Sequence, residues 1–231
     1  MALTWGGALC GQIENFVMQR ALREYTAAYG GIRDVDALSS LTVEGTQIQE
    51  GGSFNFVMRK KSPNSIRYRL DQGYVSVVTA SDGRIGWMQI DNAGDVTTRR
   101  LNEDEFSVLK DEAIFETPLF RHMEKRYNSI ALVGRERVGE LSAYVFEVRD
   151  IDERITRYYL DTYHPHILRR DRLNEEGKIT LQTVYRDYRD VGGYPFAFEI
   201  ENRVDGKVVS LVKVDTITVN PGLLSFYFDM P

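Results

Sequence analysis

Between Leu38 and Arg100 apolar and polar residues alternate in short runs, each ended by a turn signal. In Ser53–Arg59 the alternation sends Phe54, Phe56 and Met58 to one side, because successive side chains of a strand point to opposite faces. Ser65–Asp71 repeats the pattern with Ile66, Tyr68 and Leu70, and Ile85–Ile90 brings in Trp87. Gly51-Gly52, Lys60–Asn64 with Pro63, Gln72-Gly73, Asp82-Gly83 and Asn92–Asp95 supply the turns of an antiparallel meander. One face of this meander carries large aromatic and aliphatic groups that something must cover.

The flanking segments change period. Ile13, Phe16, Val17, Ala21, Tyr25, Ala28 and Tyr29 recur at helical spacing, and Gly30-Gly31 offers the left-handed cap that ends the helix. Asn102 followed by Glu103-Asp104-Glu105 reads as a helix N-terminus, with a cap residue and acidic groups that complement the dipole. Pro118 interrupts that helix, and the spacing predicts a second short one from Pro118 to Lys125. Strands resume at Ser129 and continue through Ser142–Val148, Ile155–Asp161, Ile167–Leu173, Lys178–Arg189, Phe196–Val204 and Lys207–Val219, the last two joined by the hairpin signal Asp205-Gly206. The fold class predicted is mainly β (α+β): about ten or eleven antiparallel strands, curled into a half-open barrel with helices across its concave face, since a sheet this large must curl, close or be covered. No linker divides residues 13–231, which read as one domain. Residues 1–12 read as a tail, either the remnant of an export signal without its basic start or an expression scar.

Composition narrows the function. With 231 residues the chain can bury a core without staples, and a net charge of −5 argues against a nucleic-acid groove built on global charge. The single cysteine, Cys10, rules out an internal disulfide or a multi-cysteine metal site. No apolar run reaches the roughly 18 residues of a membrane-spanning helix.

Several short phrases, in order, carry a family resemblance. They are Tyr29-Gly30-Gly31, Val43-Glu44-Gly45-Thr46, Pro63 before Ile66-Arg67-Tyr68, and Asp82-Gly83-Arg84-Ile85-Gly86-Trp87. Thr117-Pro118-Leu119, Val133-Gly134, Val138-Gly139 and Tyr158-Tyr159-Leu160-Asp161 follow, then Asp187-Tyr188-Arg189, Gly193-Tyr194-Pro195 and Val219-Asn220 before Phe226 and Pro231. Together they resemble the outer-membrane lipoprotein-sorting proteins of the LolA/LolB-like superfamily. That resemblance implies a helix-capped half-barrel in the periplasm or cell envelope, with no catalytic activity and no cofactor. It would shelter acyl chains of lipids or lipoproteins and touch membranes only transiently.

The residues expected to wall such a cavity are Phe54, Phe56, Met58, Tyr68 and Trp87, the alternative being an ordinary dry core beneath the helices. The alternative function is a docking module of the same fold for an envelope protein. Other chemistry reads as structural. His164-Pro165-His166 with Asp161 lacks the further ligands a metal needs, and His122 has no nucleophile elbow beside it. Asp150, Asp152 and Glu153 read as a hairpin turn. Arg169-Arg170-Asp171-Arg172 and Arg186–Arg189 read as solvated strand faces.

Overall fold

The structure is a computed structural model and describes residues 6–113, 119, 120, 127–150 and 152–231. Helices α1 (Gly6–Ala28) and α2 (Ile32–Ala37) precede six strands: β1 (Ser40–Gln49), β2 (Gly52–Lys61), β3 (Ser65–Gln72), β4 (Val75–Ser81), β5 (Gly86–Asn92) and β6 (Asp95–Arg100). Helix α3 (Glu103–Ala113) follows. Seven strands complete the chain: β7 (Tyr127–Val138), β8 (Leu141–Asp150), β9 (Ile155–Asp161), β10 (Ile167–Leu173), β11 (Ile179–Val191), β12 (Tyr194–Val204) and β13 (Lys207–Val219). A 3-10 turn, Ser225–Phe228, closes it.

All thirteen strands form one antiparallel sheet in the order β6-β5-β4-β3-β2-β1-β13-β12-β11-β10-β9-β8-β7. The described residues thus hold two or three strands more than the expected ten or eleven; β4 and β6 are the two whose own residues gave the weakest pattern, although turns at Gln72-Gly73, Asp82-Gly83 and Asn92–Asp95 bracket or precede them. Neither alternates cleanly: β4 is at least half-buried at every residue, and β6 is exposed along its whole length. The sheet is open, with β6 and β7 as its edges. The short helix expected at Pro118–Lys125 lies outside the described residues except at Leu119 and Phe120, which are buried against α1.

Two meanders, β1–β6 and β7–β13, meet only where β1 pairs with β13. At that seam the register slips at Glu44/Gly45. A Cβ added at Gly45 would collide with the Lys213 carbonyl oxygen and lie 2.9 Å from the Val214 Cα, so the bulge admits only glycine there. Asn220 ties off the end of the seam. Its Oδ1 accepts from the Ser39 and Ser40 amides at 2.8 and 3.1 Å and from the Ser39 hydroxyl at 3.0 Å, while its Nδ2 donates to the Ala37 carbonyl at 2.9 Å. Its φ of 52° is one that asparagine tolerates better than most residues.

Helix α3 starts as its sequence suggests. The Asn102 Oδ1 accepts from the Glu105 amide and the Glu105 carboxylate accepts from the Asn102 amide, both at 2.9 Å, a complete capping box. Leu109 and Ala113 of α3 pack on Ile66 and Met58, and Phe106 sits where Gly86 leaves no room for a side chain. Farther along, Glu112 bonds Arg170 and Arg172 on β10. In a flat sheet β3 and β10 would stand six spacings apart, ~29 Å. An eleven-residue helix that packs on one and bonds the other requires the sheet to curl around it.

Helix α1 packs on the same face. Its Ala21, Leu22 and Tyr25 cluster with Phe146, Val148, Tyr158 and Leu160, and Tyr158 is the register partner of Arg170. The packed stripe is shifted from the expected one: Phe16, assigned to it by spacing, is exposed, and Met18 and Leu22 take part instead. Among the described residues no helical side chain joins the apolar cluster of the central strands, Val43, Phe56, Phe198, Val212 and Val214.

Two stability outcomes follow from the seam. Gly45→Ala should destabilise the fold by about 3 kcal/mol, because the obstacle is backbone and cannot rotate away; urea denaturation measures it, and a loss near zero would contradict the described bulge. Asn220→Ala should cost about 2 kcal/mol, from lost hydrogen bonds and from the positive φ. Asn220→Gly, free of the second cost, should recover part of that loss in the same assay.

Candidate functional site: the curled face of the sheet

The candidate site is the face toward which α1 and α3 pack, between the two helices. Strand pairing defines its wall. Phe56 stands opposite Leu70 and Met58 opposite Tyr68, so all four share a face, and Val43 and Gln47 continue it through pairing with Met58 and Phe54. The Phe56 and Tyr68 rings stack with centroids 5.5 Å apart, and the Tyr68 hydroxyl donates to Gln47. From the other side of the seam Phe196, Phe198, Ile200 and Val212 join the same cluster. Phe56 is 3% exposed, whereas Phe54, Met58, Tyr68 and Leu70 are only half-buried.

The structure thus brings Phe54, Phe56, Met58 and Tyr68 onto one surface. It does not bring Trp87 there. Tyr68 pairs with Thr79 and Thr79 with Met88, so Met88, not its neighbour Trp87, points to the site. Trp87, 1% exposed, packs on the opposite face with Val78 and Ala80, under the cation of Arg67. Its indole Nε1 donates to the Phe228 carbonyl at 2.9 Å and holds the C-terminal turn against the sheet. The placement of Trp87 among cavity residues is corrected accordingly: its register runs through Ala80 to Arg67, on the face opposite Tyr68.

At the α3 end the apolar wall gives way to charge. Arg170 and Arg172 each donate to one Glu112 oxygen, at 3.0 and 2.9 Å, and Lys60 of β2 interacts with the same carboxylate. Tyr68, Tyr158 and Tyr185 stand around them. Burial would raise the Glu112 carboxyl, but Arg170, Arg172 and Lys60 outweigh it and hold the group down at about 2. Burial lowers the Lys60 ammonium, and the Arg170 charge pushes the same way against Glu112. Burial also raises the Tyr68 phenol, with the Glu112 charge adding to it. The Arg170 Nε is buried and has no hydrogen-bond partner among the described residues. The Glu112 side chain nevertheless keeps 46% of its surface accessible, against 17% for Arg170 and 19% for Arg172.

This charged group escaped the sequence reading, which took Arg169–Arg172 as one solvated face. Period-two alternation splits the run instead. Arg169 pairs with Asp171 on the outer face, where Gln182 also donates to the fully buried carboxylate and the Arg169 cation lies over Tyr159. Arg170 and Arg172 point inward. The signal was present in the alternation, but only the partner on α3 shows which side is which.

The other candidates stay outside the site. His166 stacks on Tyr188 at 4.2 Å, and the His164 Nδ1 lies 3.9 Å from the Asp161 carboxylate. Among the described residues no three His, Cys, Asp or Glu side chains converge as a metal site would need. Asp150 caps its own turn by accepting from the Asp152 and Arg154 amides. His122 lies outside the described residues.

Because the folded Glu112 titrates near 2 rather than at the ordinary 4.5, its stabilising effect is complete above pH 4.5 and lost as pH falls toward 2. Glu112→Gln should therefore be less stable than the parent at pH 7, with the gap closing by about pH 2. Denaturant titrations across that range check it; a pH-independent gap would contradict the described cluster.

No protein-family model matches the chain, and no curated protein does. Solved structures do. A DUF1329 family protein from Desulfovibrio piger superposes with a TM-score of 0.65 at 12% identity, covering 92% of this chain and 97% of that one. A domain from Vibrio parahaemolyticus named for outer membrane lipoprotein sorting gives 0.59 at 12% identity, covering 92% and 97%. A LolA superfamily protein from Nitrosomonas europaea gives 0.58 at 11%, covering 91% and 96%. No described helix is long and apolar enough to cross a membrane. The chain thus shares, over nine-tenths of its length, the fold of these proteins, one of them a LolA superfamily protein, in line with the resemblance that the sequence phrases carry.

Proposed function

We propose that this protein binds the acyl chains of lipids or lipoproteins within the curled sheet, without catalysis, and carries or senses them in the cell envelope. The observation that carries the reading is the half-buried apolar wall of Phe54, Tyr68 and Leu70, beyond the edge at Met58 where α3 packs, which no described helix covers. An acyl chain laid there gains ~0.8 kcal/mol for each methylene removed from water, so a modest length of tail supplies binding without a charged anchor. The helices would flank the cleft of a half-open barrel. The fold neighbour named for lipoprotein sorting agrees with this use of the architecture, though it shares only the shape.

One observation favours the second reading, a docking module for an envelope protein. Phe56 at the middle of the wall is already dry, so part of the face is filled by the protein's own side chains.

Native mass spectrometry of gently purified protein separates the two. Co-purifying lipid, and displacement of a fluorescent fatty-acid probe by added fatty acid, are expected. Leu70→Glu should weaken probe binding at least tenfold by placing a charge in the wall, whereas Trp87→Phe, on the opposite face, should leave it unchanged. A lipid-free protein that ignores the probe would sink the acyl-chain reading.

A further inference from the structure

Glu112, Arg170, Arg172 and Lys60 are more charge than the packing of α3 calls for. Leu109, Ala113 and Phe106 already seat that helix on β3 and beside Gly86. Ion pairs taken out of water are weak sources of stability, because desolvation offsets the attraction. Their placement is specific nonetheless. Strand β10 turns Arg170 and Arg172 inward, at the end of the same face that carries Met58 and Tyr68; Met58 itself touches both the apolar wall and the α3 cluster. Lys60 stands two residues beyond Met58 on β2 and so shares its side of the strand.

Two features show that the group is not a closed structural pair. The Arg170 Nε points into the interior with no partner among the described residues, an unfilled donor on a buried cation. Glu112, which answers both guanidiniums, is far more accessible than either arginine and sits in the last turn of its helix, so its carboxylate can leave with little repacking. The outer side of β10 makes the contrast: there Asp171 is fully buried and answered by Arg169 and Gln182.

Resting on the acyl-chain reading above, we infer that the preferred ligand is an acyl chain ending in an anion, whose head group takes the place of the Glu112 carboxylate on Arg170 and Arg172 while its tail lies along Met58, Tyr68 and Leu70. Glu112 is then a built-in stand-in for the ligand's head. It keeps the cations neutralised in the empty protein and competes with every anionic head that enters. Carboxylate and phosphate heads both fit a guanidinium pair, so a free fatty acid and an acidic phospholipid share the required chemistry.

The test uses the whole delipidated chain and three probes: palmitate, phosphatidylglycerol and the uncharged hexadecanol. Displacement of a bound fluorescent probe gives each affinity, and the quantity read is the ratio of anionic to neutral. The parent should prefer palmitate or phosphatidylglycerol over hexadecanol at least tenfold. Arg170→Met should bring the ratio near one. Glu112→Gln should move it the other way, raising it several-fold by removing the competitor. Should Arg170→Met fail to fold, the charge-matched Glu112→Gln/Arg170→Met variant replaces it, with the same expected ratio near one. A preference confined to palmitate assigns the head to a free fatty acid, and one confined to phosphatidylglycerol assigns it to a phospholipid. Equal binding of anionic and neutral probes, or a ratio that Glu112→Gln does not raise, overturns this inference and leaves acyl binding intact. Failure of all three probes to bind overturns both.

Discussion

The pairing of β1 with β13 is the constraint on which everything else depends. Each meander alone is a run of local hairpins, and nothing in a hairpin fixes where a distant meander should lie. Nine register pairs along β1 and β13 join residues about 170 positions apart, and from them the orientation of both halves follows. Such a long-range pairing is entropically expensive to find, which gives meaning to the local devices along it. The bulge at Gly45 lets the two backbones pass closer than a Cβ allows, and Asn220 satisfies several otherwise unpaired groups at the point where the chain leaves the seam.

Once the halves are joined, each supplies one wall of the interior and each has its own helix. Tyr25 of α1 is packed by Phe120 and by the β8–β9 surface, and α3 is held on β3 by Leu109 and Ala113. Among the described residues, the middle of the face, from Tyr68 and Leu70 across to Ile200, is lined by strands alone. A dry core would call for a third helix there or for larger side chains. The structure instead shows half-buried methionine, leucine and tyrosine, a surface that adapts its shape more readily than β-branched packing does. The apolar and charged parts of the face adjoin at Met58 and Lys60, so a single amphipathic ligand could meet both.

Much of this was legible from alternation. Phe54, Phe56 and Met58 share a face because a strand has period two, and the Asn102–Glu105 capping box was readable as a helix start. The short phrases that suggested the fold family turn out to have mechanical jobs. Asp82 accepts from the Arg84 and Ile85 amides to make its turn, Tyr194 donates to the Asp34 carbonyl beneath α2, and Asn220 locks the seam. What was not legible is whatever depends on a partner far away in sequence. Trp87 went to the wrong face because the parity of one strand relative to the next is set by turn geometry rather than by its own pattern. β6 was marked only by the Asn92–Asp95 turn before it, because a fully exposed edge strand carries no apolar stripe.

Strand β10 holds the sharpest case. Four consecutive residues, Arg169-Arg170-Asp171-Arg172, look like a single mixed-charge patch and are in fact two sites on two faces. The outer one needs no explanation beyond structure: its carboxylate is fully buried, it accepts from Arg169 and Gln182, and an aromatic ring lies beneath the cation. The inner one is arranged differently. Two guanidiniums converge on the single accessible Glu112 carboxylate, on a helix that apolar contacts already hold, and one buried donor has no partner among the described residues. The same strand, in the same environment of neighbouring strands, can evidently satisfy its charges when stability is all that is required. The inner face differs because its charges look into the space bounded by the apolar wall, and a buried cation that lacks a full set of partners among the described residues is one whose remaining donor is free to meet a ligand.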